Sequence, residues 1–140
     1  MDGSEWIFDG TLAVYGDDFS SSIVGPPVPA MVERVKKWIE EGYEVRIFTA
    51  RVSTDGTDAR NQDVTLARAA IEAWSEANLG TVLPITNVKD YAMIELWDDR
   101  CVQVIPNTGR TIADELASER SALVGKAAVL EKDDNYYHGD

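Results

Sequence analysis

The stretch Trp6–Asp18, WIFDGTLAVYGDD, decides the fold. Apolar Trp6, Ile7 and Phe8 run into Asp9, and Gly10 with Thr11 then turns the chain. A continuous apolar run that stops on a carboxylate and a glycine turn is how a strand buried on both faces delivers a polar group to the end of a parallel sheet. Residues 5–8 therefore read as a short buried strand ending at Asp9. Side chains alternate along a strand, so the residue two positions earlier, Ile7, faces the same side as Asp9 and lies about 6.6 Å back along it.

Beyond this strand, residues 10–27 hold Gly, Ser and the adjacent pair Pro26–Pro27 without apolar periodicity, as a long functional loop or flap would. From Val28 the apolar residues Met31, Val32, Val35, Trp38 and Ile39 fall at helical spacing, with Pro29 suited to the first turn and Gly42 ending the run. YEVRIFTAR (43–51) predicts a strand that stops at Thr49. A polar loop, VSTDGTDARNQ (52–62), leads to a second helix with Ala67, Ala70, Ile71 and Trp74 on its inner face. TVLPITNVK (81–89) predicts a third strand with Lys89 just past its end, AMIELWDDR (92–100) a fourth ending in Asp98 and Asp99, and CVQVIP (101–106) a fifth. Residues 111–130 predict a last helix, opened by Thr111 and Asp114 in a capping-box pattern.

Strands alternating with helices predict an α/β domain with a mostly parallel central sheet in three Rossmann-like layers. Ligands bind such sheets outside the carboxyl ends of the strands. The polar residues gather there: Asp9, Thr49, Lys89 and the Asp98–Asp99 pair each follow a different predicted strand. No repeat, Gly-Ser linker or low-complexity block marks a boundary, so residues 1–130 read as one domain and 131–140 as a frayed acidic tail that includes His138. A chain of 140 residues is long enough to bury about 68% of its unfolded surface.

The charge balance limits the partners. With 25 acidic and 13 basic residues the net charge is −12, which repels polyanions and argues against nonspecific nucleic-acid binding. No apolar run approaches the roughly 20 residues of a membrane helix. The first basic residue is Arg34, which does not suit a secretory signal, and cytoplasmic residence is the expectation. The single Cys101 reads as a packed small hydrophobe. Arg46 and Arg100 read as structural, and Arg51 either faces an anionic ligand or pairs with an acid. Trp38, Trp74 and Trp97 read as core residues, while Trp6 lies close enough to Asp9 to contact a ligand.

The order carboxylate, hydroxyl, ammonium, paired carboxylates resembles the haloacid dehalogenase-like hydrolase superfamily, whose phosphatases carry D-x-D-G-T, a strand-end Thr or Ser, a Lys and an acidic pair. The matching segments are IFDGT (7–11), RIFTAR (46–51), NVKDY (87–91) and ELWDDR (95–100), so the resemblance spans about residues 5–106. It implies Asp9 as general acid and base, Thr49 as the phosphoryl-binding hydroxyl, and Lys89 as the group that steadies nucleophile and phosphate. Thr11 and Arg51 join Thr49 and Lys89 on the substrate side. The metal ligands implied for a magnesium ion are Asp9, Asp98 and Asp99.

The first Asp of the motif, which attacks phosphorus and ligates the metal, maps to Ile7. An isoleucine has no nucleophile, metal donor or hydrogen-bond acceptor. The sequence therefore leaves two expectations. One is a magnesium-dependent phosphohydrolase of phosphomonoesters, nucleotides or nucleic-acid ends that works through a shifted Asp9 or a metal-activated water. The other is an inactive pseudoenzyme that binds a phosphorylated ligand or a partner protein. The spacing from Asp9 to Thr49 and from Thr49 to Lys89, 40 positions each, leaves no room for a cap domain. A capless site suits a bulky substrate, or a lid from a partner subunit of a homo-oligomer, with Ala13–Gly25 as the lid candidate within the chain.

Overall fold

The computed structural model describes residues 4–16 and 22–126, and the tail 131–140, including His138, lies outside the described residues. It is a mixed α/β protein in the order β1 (Ser4–Ile7), α1 (Pro29–Glu40), β2 (Glu44–Phe48), α2 (Asp58–Leu79), β3 (Ile85–Thr86), β4 (Met93–Trp97) and α3 (Ile112–Lys126), with a 3-10 turn at Ala50–Val52 after β2. The chain divides into two compact units, Met1–Arg100 and Cys101–Asp140. No helix among the described residues is long and apolar enough to cross a membrane.

In the first unit the four strands form one parallel sheet in the order β3-β2-β1-β4. Strand order grows outward from β1 through β2 to β3, then returns to place β4 on the other side of β1. The carboxyl end of β1 is thus the point where the winding reverses, and a crevice forms at such a point. Ile7 pairs with Ile47 on one side and with Trp97 on the other, so the three central strands end in register.

Each helix of this unit starts and stops for a local reason. Pro29 opens α1, where its missing N–H costs nothing, and Gly42 at φ 89° lets the chain leave the helix and enter β2. α2 starts at Asp58, well inside the polar run that reads as loop. The Thr57 hydroxyl accepts the Arg60 amide at 3.2 Å, and Asp58 places a negative charge in the first turn. Gly80, left-handed at φ 78°, ends it. The two helices contact each other, and α1 also contacts β2.

Between sheet and helices lies a core of Phe8, Leu12, Val35, Val45, Ile47, Ile71 and Trp74. The Trp74 ring meets Phe8 edge-on at 5.5 Å. Trp38 meets Trp97 at 5.1 Å, and the Arg34 guanidinium lies over the Trp97 ring. Three tryptophans thus have packing roles, as expected; the Trp6 side chain lies outside the description.

Two expected strands differ. β3 is only two residues long because Pro84 cannot donate to a ladder, although its carbonyl accepts the Ile47 amide at 2.8 Å. The fifth strand does not form. Residues 101–106 make a single antiparallel bridge, Val104 with Thr111, closed by the Ile105 amide on the Arg110 carbonyl at 2.8 Å. Asn107 at φ 65° and Gly109 at φ 71° supply the left-handed residues of a tight turn, so the segment folds back on its own continuation. Cys101, expected to be packed, is exposed.

In the second unit α3 begins with the reciprocal cap that the sequence predicts. The Asp114 amide donates to the Thr111 hydroxyl and the Thr111 amide to the Asp114 carboxylate, both at 3.0 Å.

Candidate functional site

Strand register assembles the site. Two residues beyond the row Trp97–Ile7–Ile47 lie Asp99, Asp9 and Thr49, each just past the end of its own strand. Three of the residues singled out in the sequence thereby fall side by side. Lys89 does not join them. Ile85 pairs with Ile47, so the residue level with Thr49 on that side is Asn87, and Lys89 lies two positions further on. Lys89 is exposed and makes no hydrogen bond or ion pair among the described residues. The next residue, Asp90, is bound by Arg46 of β2, which also pairs with Glu44. Glu44 first, then Asp90, raise the Arg46 guanidinium above its ordinary value, so Arg46 is structural, as expected.

Asp9 is the centre of the cluster. Its Oδ2 accepts the Thr49 hydroxyl at 2.7 Å, and its Oδ1 accepts Nε of Arg51 at 2.9 Å. The Thr49 hydroxyl in turn accepts the Arg51 amide at 3.1 Å, which caps the 3-10 turn and aims the Arg51 side chain back at Asp9. Thr49 is 3% exposed, Arg51 8% and the Asp9 side chain 18%. The sequence leaves open whether Arg51 faces a ligand or an acid. It pairs with Asp9 as a charge-assisted, largely desolvated contact, stronger than an exposed ion pair.

Gly10 follows Asp9 at φ 75° and tucks against Asp99, where a Cβ would collide with the Asp99 carboxylate. The turn is closed on itself: the amides of Thr11 and Leu12 donate to the Phe8 carbonyl at 3.1 and 2.7 Å, and the Gly10 amide to the Ala13 carbonyl at 2.8 Å. These amides are therefore engaged internally. The Thr11 hydroxyl is buried without a hydrogen-bond partner among the described residues, next to the cluster.

Several of the oxygens implied for magnesium are already engaged within the protein. Magnesium takes oxygen donors in a near-octahedral shell. Here Asp9 has both oxygens engaged, Asp98 is exposed with Oδ1 on the Arg100 amide at 2.8 Å, and position 7 supplies no donor. Among the described residues no three His, Cys, Asp or Glu side chains converge to hold a metal ion.

The sequence singles out Arg51 but leaves its partner open, and it gives no sign of a second buried polar residue. Ser75 is fully buried on α2, where its hydroxyl donates to the Thr81 carbonyl at 2.6 Å and accepts the Leu83 amide at 3.1 Å. It fastens the turn into β3, and nothing in its sequence neighbourhood marks it. A cleft lined by Leu116, Glu119, Arg120 and Leu123 of α3 holds none of the site residues. No protein-family model, curated protein or solved structure matches the chain.

Proposed function

We propose that this chain carries a phosphatase-type strand-end site of the haloacid dehalogenase-like kind without its nucleophile, and that it binds a phosphorylated small molecule or nucleotide rather than hydrolysing it. The observation that carries the reading is the state of Asp9: its carboxylate is tied to Thr49 and Arg51, while the position two residues earlier is Ile7. In this reading the first unit belongs to a three-layer Rossmann-like core without a cap domain, and the protein works in the cytoplasm. Thr49, Arg51 and the unpartnered Thr11 hydroxyl face the phosphoryl group, with Lys89 recruited from the exposed segment after β3.

A second reading, magnesium-dependent phosphomonoester hydrolysis, is favoured by one observation. Asp9, Thr49 and Asp99 lie in one row at the reversal point of the sheet, where a nucleophile shifted to Asp9 would find a hydroxyl and a second carboxylate. The two readings separate in one assay. The native chain with magnesium and an aryl phosphate gives no turnover above that of Asp9→Asn if the binding reading holds. Turnover that vanishes in Asp9→Asn establishes the hydrolytic one.

A further inference from the structure

We infer that Arg51 is a positioning residue that couples the arm leading into α1, residues 22–28, to Asp9. The inference rests on the reading of Asp9 as the central carboxylate of the strand-end site. It goes beyond that reading by linking the carboxylate to the loop beside it.

The guanidinium joins two segments that no strand connects. Its Nε donates to Asp9 Oδ1 at 2.9 Å, while Nη1 donates to the Ile23 carbonyl at 2.8 Å. Its own amide is fixed by Thr49, whose hydroxyl holds the other Asp9 oxygen. The arm is in turn zipped to the segment after Asp9. Val14 donates to the Pro26 carbonyl and Val28 to the Leu12 carbonyl, both at 2.8 Å, and the Trp74 indole holds the Gly25 carbonyl at 2.9 Å.

Only a planar fork of several donors reaches a carboxylate and a carbonyl at once; a lysine ammonium concentrates its donors at one point. Removing the fork leaves two partly buried acceptors without this donor, and part of their desolvation is then uncompensated. Asp9 and the arm therefore respond to each other. An anionic ligand that draws the guanidinium away from Asp9 changes the order of residues 22–28, and a change in the arm changes how Asp9 is held.

Amide hydrogen exchange at Val14 and Val28, read by NMR on the full chain without ligand, tests the coupling, with amides of α2 as the internal reference. Arg51→Gln is expected to speed exchange at both sites about tenfold. Asp9→Asn is expected to speed it severalfold, Arg51→Lys fails to restore the native rates, and the double variant Asp9→Asn with Arg51→Gln is no faster than Arg51→Gln alone. If Arg51→Gln does not fold, Arg51→Lys and Asp9→Asn with their double variant form the same cycle. Unchanged exchange in Asp9→Asn, native rates in Arg51→Lys, or additive effects in the double variant overturn the inference. The readout uses no substrate, so an active native enzyme would refute the binding reading and leave the coupling standing, whereas additive exchange rates would refute only the coupling.

Discussion

Both carboxylate oxygens of Asp9 are held from within the protein, and the two donors differ in how visible they are in the sequence. Thr49 is legible as a hydroxyl at the end of a predicted strand. Arg51 is legible only as a cation near many acids, because its choice of Asp9 depends on the 3-10 turn that Thr49 caps. Lys89 shows the opposite failure: its order along the chain fits, but register puts Asn87 level with Thr49. Two substitutions probe this scale. Thr49→Val removes a buried donor to Asp9 and the acceptor for the Arg51 amide, and urea unfolding should show a loss of about 1–3 kcal/mol. Gly10→Ala adds a Cβ at positive φ against Asp99. It should cost roughly 1–2 kcal/mol from the backbone conformation alone, with the Asp99 resonances displaced.

At the scale of elements, α1, β2 and α2 are legible because apolar spacing, Pro29, Gly42 and Trp74 agree with one another. The segment 101–106 has strand-like alternation, yet the Asn107 and Gly109 turn captures it locally before it can extend the sheet. Periodicity alone does not tell a sheet strand from the arm of a short hairpin. The turn into β3 depends on Ser75. Ser75→Ala leaves the Leu83 amide and Thr81 carbonyl without their partner, and the predicted loss is about 1–3 kcal/mol by denaturant unfolding.

α3 supplies a test by pH. The Thr111 amide first, and then the Thr111 hydroxyl, hold the Asp114 carboxyl below its ordinary value of 3.8. A carboxyl depressed in the folded state stabilises it fully above the ordinary value, and that stability is lost as pH falls through the depressed one. Carboxyl-carbon NMR should therefore find an Asp114 midpoint below 3.8, with the Thr111 amide shift following it. A midpoint at or above that value would show that the cap does not form in solution.

For the whole molecule, a net charge of −12 and a strand-end cluster of carboxylates suggest a divalent cation, yet Asp9 already has an internal cation in Arg51. Calorimetric titration of the native chain with magnesium should accordingly give millimolar affinity or none, and tight micromolar binding would contradict the donor set described above. Ile7 is in register with Ile47 and Trp97, one row behind Asp9, Thr49 and Asp99. That is the place from which a carboxylate would complete the motif the sequence resembles. Ile7→Asp should lower stability, because it replaces an apolar residue of a central strand with a charge one row behind the Asp9 and Asp99 carboxylates. Magnesium should raise its melting temperature, since a ligand that binds only the folded state stabilises it. The most direct measurement of the central claim is aryl-phosphate hydrolysis with magnesium by the native chain and by Ile7→Asp. The account predicts no turnover by the native chain above that of Asp9→Asn and clear turnover by Ile7→Asp; native turnover that vanishes in Asp9→Asn would contradict it, because Asp9 would then be a working catalytic group.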